Sequence, residues 1–99
     1  MRSYRLVFRK KATKEWSKLG ATIRNQFEKK LAERLRVPRV PKDRLFDYSD
    51  CYKIKLRNAG YRLIYRVDDD RVVVAVIKIG QRERGEAYAD LDDRLVEEE

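Results

Sequence analysis

Lys53, Lys55 and Arg62 are the residues whose types and spacing offer chemistry. They lie in the stretch Asp50–Arg66, DCYKIKLRNAGYRLIYR, among three tyrosines. Arginine grips phosphate as a bidentate fork, lysine as a point charge, and tyrosine stacks on bases. The set suits work on a phosphodiester. Crowding of the three cations also lowers a lysine pKa, because like charges disfavour the charged form. A lysine lowered in this way can serve as a general base. The chain has no histidine, which excludes a histidine-based ribonuclease mechanism and a Cys/His metal site. It has no P-loop, no G-x-G-x-x-G and no nucleophile elbow. No carboxylate pair accompanies the cations, so glycosidase chemistry is unsupported. The single cysteine, Cys51, cannot form an internal disulfide and reads as a small hydrophobe.

Period-two alternation is what would hold these cations together. Tyr52, Ile54 and Leu56 fall on one side of a strand, and Lys53, Lys55 and Arg57 on the other. Asn58-Ala59-Gly60 supplies a turn, with a glycine free to take positive φ. Tyr61, Leu63, Tyr65 and Val67 then alternate with Arg62, Ile64, Arg66 and Asp68. Matching the apolar sets of this hairpin puts Ile54 opposite Leu63 and Lys55 opposite Arg62, since a one-residue slip would bury the cations. Like charges facing each other across a strand pair are destabilising. A bound polyanion is the simplest compensation; a solvated basic sheet face is the plainer reading.

The rest of the chain builds a frame. Ser3–Phe8 predicts a first strand. Lys11–Leu19 predicts a helix with Ala12, Trp16 and Leu19 as its stripe, closed by Gly20 as C-cap. A second helix begins at Thr22 as N-cap and carries Ile23, Phe27, Leu31 and Leu35 at every fourth position. Its cations, among them Arg24, Lys29, Lys30, Arg34 and Arg36, are expected on a solvated surface. Pro38 and Pro41 end it, and Val37–Tyr48 is a connecting loop. After an aspartate turn at residues 68–70, Arg71–Ile79 is apolar on both faces and reads as an interior strand. Extending the register pairs Leu63 with Val76 and Arg62 with Ile77. Ala87, Leu91 and Leu95 give the terminal segment weak helical spacing. The expected fold class is α+β: an N-terminal strand, two helices, a three-stranded antiparallel meander in one sheet, and a labile C-terminal helix. Residues 1–99 are expected to form one domain.

Net charge is +8 over 99 residues, but unevenly spread. Met1–Arg82 holds 23 Lys and Arg against 9 Asp and Glu; Glu83–Glu99 holds 2 against 8. A basic body with an acidic tail suggests a polyanionic partner and a masking element. No apolar run is long enough to span a bilayer, so no membrane role is expected, and one unpaired cysteine fits a reducing cytoplasm. From composition alone, a basic face with tyrosines favours a binding module over an enzyme.

The segments KEWSKLG, DCYKIKLR, GYRLIYRV and IGQRERGEAY resemble the RelE family of bacterial toxins across nearly the whole chain. The likeness is closer to RelE toxins than to the ParE branch of the same fold. What the resemblance implies is a ribosome-dependent endoribonuclease that cuts mRNA in the ribosomal A site. The 2′-hydroxyl attacks the adjacent phosphate without cofactor or metal. The implied partner is a RelB-type antitoxin, which inhibits the toxin and represses the operon with it, so operator DNA is reached only through that complex. The implied functional set is Lys53, Lys55, Arg62, Arg82 and Tyr88. Lys55 would be the base, Arg82 would assist the leaving group, Arg62 and Lys53 would stabilise the pentavalent phosphate, and Tyr88 would stack on or orient a nucleotide. The resemblance also implies that an antitoxin helix displaces the terminal segment Ala89–Glu99. One departure is visible: Leu45-Phe46-Asp47-Tyr48 stands where relatives often carry a basic residue and a glycine. The alternatives are a non-enzymatic ParE-type inhibitor of DNA gyrase and a plain RNA- or ribosome-binding module, neither of which needs Lys55 together with Arg82 and Tyr88.

Overall fold

The structure, a computed structural model, describes residues 3–81 and 90–96. Strand β1 (Arg5–Phe8) is followed by helices α1 (Lys10–Ser17) and α2 (Ala21–Arg36), a short 3-10 turn at Pro41–Asp43, strands β2 (Cys51–Leu56), β3 (Tyr61–Asp68) and β4 (Val73–Gln81), and helix α3 (Leu91–Val96). The α+β expectation stands, with the strands in one four-stranded sheet of order β1-β4-β3-β2. β1 joins parallel to β4, and the other neighbours are antiparallel. β4 is therefore interior, which is why Val73–Ile79 is apolar on both faces. No helix among the described residues is long and apolar enough to cross a membrane.

Helices α1 and α2 cover one face of the sheet. Ala12 from α1, Leu19 just after it, and Phe27 and Leu31 from α2 pack on Ile54, Leu63, Tyr65, Val74 and Val76. Trp16 sits between Phe8 and Phe27, with ring centroids 5.1 and 6.3 Å away. The helix junction differs from expectation. Lys18 and Leu19 donate their N–H groups to the carbonyls of Glu15 and Trp16, which closes α1 at Lys18. Gly20 is the N-cap of α2, its carbonyl accepting from the Arg24 N–H, and Thr22 lies inside the helix. The linker is too short for separate C-cap and N-cap residues at the positions their types suggest.

The opposite face carries a second, smaller cluster: Leu45, Cys51, Ile64, Val73, Ala75, Ile77 and Leu91, with Leu95 against it. Burial pushes the Cys51 thiol up to about 11, so it is an inert packing residue.

The β3–β4 register corrects the sequence expectation. Leu63 faces Ile79 and Arg62 faces Gly80, not Val76 and Ile77. Two causes combine. Asp68 belongs to the strand and pairs with Val73, so the turn falls later, with Val72 at φ 57°. The register also breaks between Ile64 and Tyr65, which face Lys78 and Val76. Ile77 is thus an extra residue, a β-bulge, and it leaves Ile77 and Lys78 on the same face.

Beyond that bulge β1 has ended, its last partner being Val76. Side chains take over the exposed edge of β4. The Ile79 N–H donates to Glu15 Oε1 at 2.9 Å, and Arg94 Nη1 donates to the Ile77 carbonyl at 3.0 Å. Arg94 and Glu15 are joined by two further bonds of 3.1 and 2.8 Å. An ion pair from α1 and α3 thus substitutes for the missing strand and satisfies groups that would be costly to bury alone. Arg9 and Arg66 donate to the carbonyls of Arg94 and Leu95 at the C-terminal end of α3, where cations are favourable.

Arg94→Ala removes the guanidinium that Glu15 and the Ile77 carbonyl bond, and should destabilise the protein by about 3 kcal/mol, the lower end expected for breaking a buried pair when one partner stays partly solvated. Urea denaturation measures it; a loss below about 1 kcal/mol, ordinary for a surface pair, would contradict this role.

Candidate functional site

Lys53, Lys55 and Arg62 project from the face opposite α1 and α2, and all three are half-buried. The hairpin register is as the alternation predicts: Ile54 faces Leu63 and Lys55 faces Arg62. Gly60, at φ 72°, makes the turn. Opposite positions in such a ladder hold their Cβ atoms about 5 Å apart, so the Lys55 and Arg62 heads share one patch. Lys53 is the next residue of β2 on that face, opposite Ile64. Across β3, Arg62 faces Gly80, which has no side chain. The patch is thus bordered by bare backbone where the sequence expectation had an isoleucine.

The Lys53 charge, with desolvation and the charge of Arg57 behind it, holds the Lys55 ammonium below the usual lysine range. Arg62 acts in the same direction, and Asp43 opposes it. The depression is chiefly a Coulombic effect at a solvent-accessible group, so the ammonium loses its proton more readily without being deeply buried.

A residue not singled out from sequence supports this strand from behind. Arg34 of α2 is nearly buried instead of solvated. It donates to the Lys53 carbonyl at 3.1 Å, to Tyr65 Oη at 2.9 Å and to Asp43 Oδ2 at 2.6 Å. Tyr65 Oη in turn donates to the Pro38 carbonyl at 2.6 Å, and its ring stacks on Tyr52 with centroids 5.8 Å apart. Arg34 therefore satisfies the outer edge of β2 where Lys53 sits. The available signal was its spacing: it falls three residues after Leu31 and seven after Phe27, inside the apolar stripe. Beside it a groove of about 680 Å³ runs between α2 and β2, lined by Lys30, Arg34, Lys42, Asp43, Lys55 and Arg57 among others. Its cations lead to Lys55.

Arg82 and Tyr88 lie outside the described residues. The ladder carries β4 to Gln81, which faces Tyr61, and Gln81 Nε2 donates to Tyr61 Oη at 3.2 Å. On the far side, Asp90 opens α3 with φ 52°. Its carboxylate pairs with Lys78 and with Arg94, and the Lys78 hydrogen bond holds it below the usual carboxylate range. Of the five residues named from the resemblance, the described structure brings Lys53, Lys55 and Arg62 together. No group of three or more His, Cys, Asp or Glu among the described residues could hold a metal ion.

If the Lys53 charge is the main cause of the Lys55 shift, Lys53→Met should raise the Lys55 pKa toward the ordinary lysine value. Added salt should move it the same way by screening. NMR titration of the lysine side chains measures both. A Lys55 value unmoved by the substitution would show that desolvation, and not charge crowding, controls it.

Residues 6–85 match the model of a family described as "ParE toxin of type II toxin-antitoxin system, parDE". The chain is 51% identical over 94 residues to the "mRNA interferase toxin RelE" of Escherichia coli strain K12, covering 95% of this chain and 99% of that protein. Its fold superposes with a TM-score of 0.87 on a mutant of E. coli toxin RelE in the free state, at 49% identity, covering 95% of this chain and 99% of the other. It superposes with a TM-score of 0.78 on a chain of the intact E. coli RelBE toxin–antitoxin complex, at 53% identity, covering 80% and 96%.

Proposed function

The chain belongs to the ParE toxin family of type II toxin–antitoxin systems, and on that premise we propose that it cuts mRNA in the ribosomal A site, with Lys53, Lys55, Arg62, Arg82 and Tyr88 as its working set. It is a toxin of the mRNA interferase kind, an endoribonuclease. The observation that carries the site assignment is the register that places Lys55 opposite Arg62 with Lys53 alongside, together with the depressed Lys55 pKa.

The chemistry follows from those groups. Lys55 Nζ, as a free amine, takes the proton of a ribose 2′-hydroxyl. The 2′-oxygen bonds to the adjacent phosphorus while the bond to the 5′-oxygen of the next nucleotide breaks. The products are a 2′,3′-cyclic phosphate and a free 5′-hydroxyl, the leaving oxygen taking up a proton. Arg62 and Lys53 neutralise the charge that grows on the equatorial oxygens, the kind of preorganised electrostatic help that is worth most in the transition state. Arg82 assists the leaving group and Tyr88 holds a base; both assignments rest on the family likeness.

A cationic patch with one depressed lysine does not itself orient a flexible RNA. Orientation can supply a large part of a barrier, and the ribosome is the proposed source of it. The bare Gly80 border and the basic groove leading to Lys55 leave room for a strand held by another body. The proposed protein partner is an antitoxin of the RelB type, as in the RelBE complexes of relatives. Operator DNA would be bound only through that complex.

Primer extension on mRNA translated in a purified system tests this function. Strong cleavage is expected at A-site codons and little on the same RNA without ribosomes; equal cutting of both would overturn the ribosome dependence. In the same assay Lys55→Arg keeps the charge but cannot act as a base, and should lose about 10²–10⁴-fold, the usual contribution of general base catalysis. Near-wild-type cutting by that variant would leave Lys55 a purely electrostatic role.

A further inference from the structure

Phe46 is 84% exposed, the most exposed large hydrophobic side chain among the described residues. Single exposed apolar residues are common, but this one is held in a defined place. Arg44 pairs with Tyr52 in an isolated antiparallel bridge, and the Leu45 N–H donates to the Cys51 carbonyl at 2.9 Å. The Tyr48 N–H donates back to the Leu45 carbonyl at 3.3 Å, closing a tight turn with Phe46 at its tip. Leu45 is buried against Cys51 and Ile64, so the turn lies on the same side of the sheet as Lys53, Lys55 and Arg62. Cys51, Lys53 and Lys55 follow one another along that face of β2, with about 7 Å between successive members. The Arg44 guanidinium lies 5.7 Å from the Phe46 ring centroid. It supplies a cation to an aromatic ring that is otherwise open to solvent.

We propose that Phe46, backed by Arg44, is a stacking platform for an RNA base upstream or downstream of the scissile phosphate on the same strand, and so a residue that tunes which mRNA positions are cut. An exposed ring on a tethered turn presents its surface at little ordering cost. Base–aromatic stacking tolerates any sequence but favours bases with larger rings, and an adjacent arginine adds a cation–π contribution. The platform lies along the strand direction from the Lys55–Arg62 patch, anchored at Cys51 about 13 Å from Lys55, on the path of an RNA strand a nucleotide or two away from the reacting one. This inference rests on the endoribonuclease reading, whose failure has its own signature below.

The test compares Phe46→Leu, Phe46→Tyr and Phe46→Trp with the wild type on ribosomes programmed with mRNAs that differ in one A-site base. Phe46→Leu keeps an apolar side chain but removes the ring. Cleavage at sub-saturating toxin should fall by about ten-fold or more, as loss of one stacked base predicts, chiefly through weaker binding, and the preference among bases should flatten. Phe46→Tyr should restore both. The Phe46→Trp variant should show fluorescence quenching on adding an RNA oligonucleotide or programmed ribosomes, beyond that of the wild type, whose Trp16 is the control. Melting temperatures should be unchanged, because the ring is in solvent. Unaltered cleavage and base preference in Phe46→Leu would overturn the proposal, as would weakened antitoxin binding with cleavage intact, which would make Phe46 a protein contact. A wild type that cuts nothing would remove the endoribonuclease reading instead. The quenching measurement would then still decide, since an unquenched Phe46→Trp variant rules out stacking by itself.

Discussion

One extra residue in β4 sets much of the architecture. The bulge at Ile77 turns Ile77 and Lys78 to the same face and exposes backbone groups where β1 has already ended. Those groups are satisfied by Glu15 and Arg94, so the bulge is also where α1 and α3 are tied to the sheet. Past it, the strand resumes with Gly80 opposite Arg62, which leaves the border of the cationic patch open. A regular strand would have put a different residue beside Arg62. Fold closure and site geometry share that one irregularity.

The outer edge of β2 and the free edge of β4 are both braced by charged residues whose partners are distant or hidden in sequence. Arg34 grips the strand at Lys53 from the helix side and meets Asp43 nine residues on. Arg94 meets Glu15 across 79 residues. Each charge lies in the apolar stripe of its helix. From sequence such a residue can equally be a solvated cation at the rim of the stripe or a buried one with a partner. Only the tertiary fold, which brings the partner, decides between them.

The hairpin was legible because only one register keeps its cations out of the core, and the Asn58-Ala59-Gly60 turn agrees with it. Its prediction of Lys55 opposite Arg62 holds residue for residue. The β3–β4 pairing was not legible for the converse reason. A strand apolar on both faces carries no parity signal, so neither the bulge nor the true turn at residues 69–72 leaves a trace in the alternation. Gly20 misled similarly: glycine serves at either end of a helix, and a short linker let the second helix claim it. Of the five site residues, three have their geometry explained by the hairpin, while Arg82 and Tyr88 stand on family likeness. Phe46 had a signal in sequence, as a departure from the family pattern, but its exposure and its arginine neighbour required the fold.

In the proposed mechanism, cations crowded by strand register make Lys55 a usable base at a solvent-accessible position. The pH dependence of single-turnover cleavage of ribosome-bound mRNA tests it most directly. A base acts when deprotonated, so the rate should rise with pH to a plateau, with a midpoint below the ordinary lysine value. Removing the neighbouring charge in Lys53→Met should move that midpoint to higher pH, whatever happens to the plateau. A midpoint that stays in place when Lys53 loses its charge would contradict the account.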